Sequence, residues 1–498
     1  MPSPFLQQRI IPDASTCILI GRLEGPCATH DFSAYRAILW ITDETIPFPS
    51  GVLKNSVHVL PLGQLSETLE TILNKFCVLD ARKIPSVFLT HATRKENTDI
   101  YEQVLPLLCA HLETLHRARL TRQKDGFLWQ SHLLKNLGNL TKQRIPNQWE
   151  GALAGIPAVV CGAGPSLNRT APLIKNLSCA IFAADSALRK LDQLGMDINF
   201  TISIDPAKTP EKCLPPTKSP GKVILTSISP PAWNQALPNE DIFYLTSRQI
   251  TEDWLSTMGV EKTGITASES CGSTALDLAH YMGCSPIYLF GMDLAGDPKD
   301  PSQIRVDTAD SSIYQKSGFQ ADTIRPMVQG NYTEKLPTHL LPDIHALNQR
   351  LKNWPKELVY NVNDSGVKLD NTTLIHPDKF EPPTATSGTE QLLNSLPPST
   401  CAPEKRLQKI SRLFRDSGLI LAEKLPALHQ TFKQQGNEHL AGALRDIWSH
   451  ENIANLLGAY SFKLLPHLAH PISDDTVFWE KQLEEINELS RLMLETSK

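Results

Sequence analysis

The chain has 498 residues, of which 41% are hydrophobic and 20% charged, with a formal net charge of −5. That length exceeds what one hydrophobic core organises, so about two to four globular domains are expected. There is no long basic run to follow a nucleic-acid backbone and no apolar run of the ~18–20 residues that a membrane span needs, and the opening MPSPFLQQRIIPDAS lacks the charged leader and apolar core of a signal peptide.

In chain order, residues 1–100 read as an N-terminal α/β domain. TCILIGRL, AILWITD and SVFLTHA are apolar strand runs, and LSETLETILNKF places Leu65, Leu69, Ile72 and Leu73 at helical spacing. No constellation with evident chemistry lies there, which leaves scaffolding or partner contact as its role. Residues 101–145 are helical: Leu105, Leu108, Leu112 and Leu115 form one stripe and Trp129, Leu133, Leu137 and Leu140 a second. The basic HRARLTRQK within them reads as a solvated helix face.

Residues 151–300 alternate strand and helix. The strand runs are PAVVCG, CAIFAAD, FTISID, KVILTS, IFYLT and PIYLFGMD, separated by helices such as SALRKLDQLG and STALDLAHYMG. Near-continuous apolar strands interleaved with helices predict a Rossmann-like parallel sheet covered on both faces. A polar stretch follows to about 335, then a helix, LPDIHALNQRLKNW, and a strand and turn, ELVYNVNDSGVKL. The expected layout is thus an N-terminal domain (1–100), a central domain with its leading helices (101–380), a Pro/Ser/Thr-rich linker (381–405) and a C-terminal helical domain (406–498). In the last helix Trp479, Leu483, Ile486, Leu489 and Leu492 form a core stripe. The ten cysteines are scattered, with no C-x-x-C and no Cys/His cluster at metal spacing, so no metal centre is expected. Cys161 and Cys284 read as reduced core thiols of a cytoplasmic protein.

The chemistry concentrates at strand ends. In GAGPSLN, Gly162 and Gly164 allow a sharp turn and close ligand approach, Pro165 follows, and Ser166 can cap the next helix, whose free N–H groups suit a phosphate. A third glycine of the dinucleotide fingerprint is missing, since Leu167 stands there, and no Gly-Lys-Ser/Thr follows, so neither an NAD site nor an ATPase phosphate loop is indicated. AADS puts Asp185 after the second strand of the central sheet, SIDP puts Asp205 after the third, and FGMDLAGD puts Asp293 and Asp297 after the last. SESCGST places Ser270, Gly272, Ser273 and Thr274 at a second helix start. In a doubly wound sheet all of these fall on the carboxyl edge, where ligands bind.

GAGPSL, AADSALRKL, FTISIDP, CGSTALDLAHYMG and YLFGMDLA occur in the order and approximate spacing of the Maf family, the motility-associated factor glycosyltransferases. WQSHLLKNLGNL and VYNVNDSGVKL also resemble that family, and the likeness covers roughly residues 125–380. The resemblance implies a cytoplasmic enzyme that moves a nonulosonic acid, such as pseudaminic or legionaminic acid, from a CMP-sugar donor to Ser or Thr of flagellin or another protein. The central domain is similar to that of bacterial sialyltransferases, which carry a Gly-x-Gly-Pro-Ser-Leu turn near CMP. A related branch contains pterin diphosphokinases, which use ATP, so the fold alone does not fix the reaction. Where family members often have Gln before the last strand-end Asp, this chain has Met292.

Under that resemblance Gly162, Gly164, Pro165 and Ser166 shape the nucleotide pocket, with backbone N–H groups on phosphate or ribose. Gly272 opens a second helix start, where Ser270, Ser273 and Thr274 are further donors, and Asp185 and Asp205 accept from ribose or cytosine. Asp293 is the first candidate for the base or for positioning the donor sugar, and His339 the second; His280 reads as a packing residue. Mg²⁺ could help neutralise a diphosphate donor, although no cofactor is required by the motif set. The alternatives are a 6-hydroxymethylpterin diphosphokinase-like enzyme and a non-catalytic nucleotide-binding relative.

Overall fold

The structure, a computed structural model, describes residues 5–10, 14–43, 56–61, 85–90, 108, 112, 121 and 123–496, apart from 176, 218, 298, 301–302, 311–326, 339, 384–387 and 470–475. The helix expected over LSETLETILNKF, together with Leu105, Leu115 and His339, lies outside these residues. The chain divides into two compact units, Met1–Lys124 and Asp125–Lys498.

The first unit carries β1 (Phe5–Arg9), β2 (Thr16–Ile20), β3 (Ala37–Thr42), β4 (Ser56–Pro61) and β5 (Ser86–Thr90) in one sheet of order β1-β5-β2-β3-β4. All neighbours are parallel except β1 against β5. Cys17, Leu19, Ile38, Trp40 and Phe88 pack on one face, and the Trp40 indole N–H donates to the Gly21 carbonyl at 2.7 Å. The three strand runs read from the sequence here are β2, β3 and β5.

The second unit is built on an eight-stranded parallel sheet. Its strands are β6 (Ala158–Cys161), β7 (Ala180–Ala184), β8 (Phe200–Ser203), β9 (Lys222–Leu225), β10 (Ile242–Tyr244), β11 (Ile287–Phe290), β14 (Val359–Val362) and β15 (Thr373–Ile375). A small antiparallel hairpin, β12 (Met327–Val328) and β13 (Leu336–Pro337), stands apart from it. The order is β10-β9-β8-β7-β6-β11-β14-β15. The predicted α/β parallel architecture is therefore what the chain forms, with every predicted strand of the central region present.

Both faces of this sheet are buried, which is why its strands are apolar at successive positions. Ala158, Val160, Phe182, Phe200, Ile287 and Leu289 face the helices Cys271–Tyr281 and Leu341–Leu351. Val159, Cys161, Ile181, Ala183, Tyr288 and Phe290 face the short helices Leu167–Thr170 and Leu188–Gln193. Phe182 and Phe200 stack across β7 and β8 with centroids 4.6 Å apart. Cys161 and Cys284 are buried free thiols.

The C-terminal helices, Glu404–Gln435, Asn437–Trp448, Glu451–Leu456, Gly458–Ala469 and Thr476–Thr496, belong to this same unit. Their apolar stripe, including Trp479, Leu483, Ile486, Leu489 and Leu492, closes on one core with Val223 and Leu225 of β9 and with Leu134, Leu137 and Leu140. The Pro/Ser/Thr-rich segment ahead of them is docked: Arg144 and Thr400 exchange backbone hydrogen bonds, and the buried Trp149 indole donates to the Pro397 carbonyl at 3.0 Å. Trp149 also lies edge-on to Phe200, centroids 5.7 Å apart, and against Phe243 at 4.7 Å.

Trp149 thus fastens both the sheet and the segment before the helices. Trp149→Ala should lower the unfolding free energy by about 3–5 kcal/mol, as large-to-small changes of a fully buried indole do. Urea denaturation followed by circular dichroism checks this, and a shift under ~1 kcal/mol would mean that the indole is not part of the core.

Candidate functional site

The strand order reverses at β6. From it the chain runs outward through β7, β8, β9 and β10, then returns to lay β11 on the other side of β6. The crevice beyond the carboxyl ends of β6 and β11 is therefore the topological switch point, where open α/β sheets take their ligands. The Gly-x-Gly-Pro-Ser turn and the Phe-Gly-Met-Asp turn meet there. The Gly162 N–H donates to the Phe290 carbonyl at 2.8 Å and the Gly164 N–H to the Gly291 carbonyl at 2.8 Å.

Asp293 is central to this junction. One carboxylate oxygen accepts from the Ser166 N–H at 2.8 Å, and the other accepts from the Asn363 amide at 2.7 Å. A methyl group on Gly164 would overlap the Asp293 carboxylate, so only glycine fits. Gly366, at φ +75°, brings the turn after β14 against the same aspartate, where a Cβ would stand 2.9 Å from its Cα. The next residue, Leu294, is left-handed at φ 52°, a strained conformation for a side-chain-bearing residue, and its carbonyl accepts from the Thr338 hydroxyl at 2.6 Å. Burial pushes the Asp293 carboxyl above its ordinary range, opposed by the hydrogen bonds from Ser166 and Asn363 and by the Arg169 guanidinium.

This placement gives Asp293 a structural part. With 1% of its surface exposed and both oxygens engaged by Ser166 and Asn363, it braces the turn. The turn's N–H groups are engaged as well. Those of Gly162, Gly164 and Ser166 are spent on Phe290, Gly291 and Asp293, so none of the three is open to a phosphate. Pro165 carries no N–H. Gly162 and Gly272 both press on Met292, whose sulfur would lie 2.8 Å from a Cβ on the first and 2.7 Å from a Cβ on the second. The thioether fills the joint between the glycine turn and the helix Cys271–Tyr281.

Asp185 is also inward. It accepts from the Lys208 ammonium at 2.8 Å, the Ser203 hydroxyl at 2.9 Å and the Ser186 N–H at 2.6 Å, and it is buried. Ser270 caps its helix by accepting the Ser273 N–H at 3.2 Å, and the two hydroxyls meet at 3.0 Å. The Thr274 hydroxyl accepts the Ser268 N–H at 3.0 Å. Asp205 is different: it is half-buried and its carboxylate accepts only the Ala207 N–H of its own turn, at 2.9 Å, among the described residues. His280 stacks on Trp354 with ring centroids 3.9 Å apart, away from any polar partner role.

Arg169, Lys208, Asn363 and Asp364 were not singled out from the sequence. Arg169 forks onto Asp364 at 2.6 and 2.8 Å and reaches Asp297 at 3.1 Å, tying the ends of β6, β11 and β14 together. The bond to Asp364 is the main reason the guanidinium is held charged; burial would raise the Asp364 carboxyl, but Arg169 outweighs it and the carboxyl sits below its usual range. Farther along the rim the Arg350 guanidinium meets Glu269 at 2.8 Å and Asp277 at 3.3 Å, and the largely exposed Arg248 reaches Glu269 at 3.6 Å. Among the described residues no three His, Cys, Asp or Glu side chains converge as metal ligands.

A family profile described as 6-hydroxymethylpterin diphosphokinase MptE-like matches residues 131–298. The chain has the fold of the Maf glycosyltransferase from Magnetospirillum magneticum AMB-1. The two superpose with a TM-score of 0.51 at 15% sequence identity, over 97% of this chain and 79% of the other. No curated protein matches the sequence. The Maf-like architecture thus extends over both flanking regions, beyond the residues whose motifs resemble that family.

If Asp293 is a brace, Asp293→Ala should strand the Ser166 N–H and the Asn363 amide in the core and cost about 2–4 kcal/mol of stability. Chemical denaturation checks this. A variant as stable as the native protein would return Asp293 to the pool of ligand-facing groups.

Proposed function

We propose that the chain is a glycosyltransferase that moves a nonulosonic acid from a CMP-sugar to a Ser or Thr hydroxyl of flagellin or another protein in the cytoplasm. The observation that carries this reading is the likeness to a Maf glycosyltransferase along 97% of the chain, flanking regions included, whereas the pterin diphosphokinase profile ends at residue 298. A small-molecule kinase has no use for the helical C-terminal region, which here shares a core with the sheet. Two further facts suit the reading: the described cysteines are all free, and no described helix is long and apolar enough to cross a membrane.

Transfer from a CMP-nonulosonate needs stabilisation of the leaving phosphate, a shaped seat for an oxocarbenium-like sugar and a base for the acceptor hydroxyl. With the turn's N–H groups engaged, the charge on the phosphate falls to side chains that reach the rim, Arg248 foremost, since it is exposed and its partner Glu269 is 3.6 Å away. Gly162, Gly164, Pro165, Ser166 and Gly272 form the floor of the donor pocket. Ser270, Ser273 and Thr274 fix its wall, and Asp205 accepts from ribose or base. Mg²⁺ would enter only with a diphosphate-bearing nucleotide.

The profile match favours one second reading, diphosphate transfer from ATP to a pterin alcohol. Calorimetric titration separates the two. The transferase reading expects CMP to bind at least tenfold more tightly than ATP, and an acceptor flagellin to gain one nonulosonate mass after incubation with the donor. Preference for ATP, with no mass gain on any acceptor, would overturn it.

A further inference from the structure

The rim carboxylates of the second unit divide sharply by what they touch. Asp185 is paired with Lys208, Glu269 and Asp277 with Arg350, and Asp297 and Asp364 with Arg169, while Asp293 is sealed under the turn. Asp343 has none of these ties. It lies in the first turn of the helix Leu341–Leu351, half-buried, and its side chain makes no hydrogen bond or ion pair with another residue among the described ones. The start of that helix is pinned to the switch point, because the Thr338 hydroxyl donates to the Leu294 carbonyl at 2.6 Å and accepts the Leu340 N–H at 2.9 Å. The helix that carries Asp343 in its first turn therefore starts beside the turn that follows Asp293.

Its surroundings are of mixed charge. Glu269, on the turn before Ser270, repels its ionised form; Arg305, from the segment that lies over the Gly-x-Gly turn, and Arg350, from its own helix, favour it. That segment is anchored by the Val306 N–H, which donates to the Ala163 carbonyl at 2.9 Å. The guanidinium of Arg350 leaves its Nη2 buried without a hydrogen-bond acceptor in the same place. Burial first, and Glu269 second, push the Asp343 carboxyl up to about 7.

The geometry points to Asp343 as the group that takes the proton from the acceptor hydroxyl. This rests on the transferase reading above and deepens it. The hydroxyl O–H bond breaks and its proton passes to the Asp343 carboxylate. The hydroxyl oxygen bonds to the anomeric carbon, and the bond from that carbon to the phosphate oxygen breaks, with its electron pair leaving on CMP. A base that must be ionised gives a rate that rises with pH through about 7, near neutrality, where a proton acceptor is most effective.

The test compares native protein with Asp343→Asn and Asp343→Glu. CMP binding is followed by calorimetry, and CMP release from a CMP-nonulosonate is followed with a flagellin or water as acceptor. The expected result is a loss of turnover on the order of 10²–10³-fold in Asp343→Asn, partial recovery in Asp343→Glu, and CMP affinity within about twofold of native. The rise of rate through neutrality should vanish in Asp343→Asn. A second readout does not depend on activity. A carboxyl whose folded pKa lies above its unfolded one loses stability as pH rises from the unfolded value to the folded one. Asp343→Asn should therefore gain in Tm relative to native at pH ~8 but not at pH ~4. Native CMP binding and release with Asp343→Asn turnover unchanged would overturn this role alone. Failure of the native protein to bind CMP, or to release it from the donor, would overturn the transferase reading and this role with it.

Discussion

The carboxylate of Asp293 holds the rim together. It sits at the one place where the winding of the larger sheet reverses, and it joins a turn 127 residues earlier in the chain to an amide 70 residues later. An anion at the start of a helix is favourable, and here the protein supplies its own. Everything near it is fitted to that group: glycine at 164 and 366 because no Cβ fits, a left-handed Leu294 to turn the chain away, and Thr338 to fasten that turn to the next helix.

A rim braced in this way separates two kinds of polar residue. Asp185 with Ser203 and Lys208, Ser270 with Ser273, and Asp293 with Ser166 and Asn363 are satisfied within the protein and buried or nearly so. Such a network rigidifies the floor of a site, since leaving any member unpaired in a low-dielectric interior is costly. Side chains that keep access to solvent, such as Arg248, Asp205 and Asp343, stand on that floor. Electrostatic catalysis depends on dipoles and charges that do not reorganise during reaction, and the buried lattice supplies that rigidity.

The strands of the second unit were legible because a parallel sheet covered on both faces demands apolar residues at every position, which leaves a strong local signal. β1, β4 and β15 were not recognised as strands; they are edge strands, with polar residues on β1 and exposed ones on β4 and β15. The placement of Gly162, Asp185, Asp205 and Asp293 was legible too, since each follows a strand of the parallel sheet at its carboxyl edge. Their roles were not. An aspartate at a strand end looks the same in sequence whether it faces a ligand or a neighbouring turn, and the partners that decide it are distant in the chain. Arg169 lay just past a recognised motif and Asn363 within a quoted strand and turn, but only the fold brings Asp364 and Asp293 to them. Asp343 had even less local signal, being one acidic residue in the first turn of a helix, where such residues are common.

The central claim is that the carboxyl rim at the β6–β11 crevice is where a cytidine nucleotide binds. Amide hydrogen exchange with and without CMP tests it most directly. The account predicts slower exchange in the segments after β6 and β8, around Ser268–Thr274 and around Arg305–Asp307, with the five-stranded sheet of the first unit unchanged. Protection confined to that first unit or to the C-terminal helices, with the rim unaffected, would contradict it.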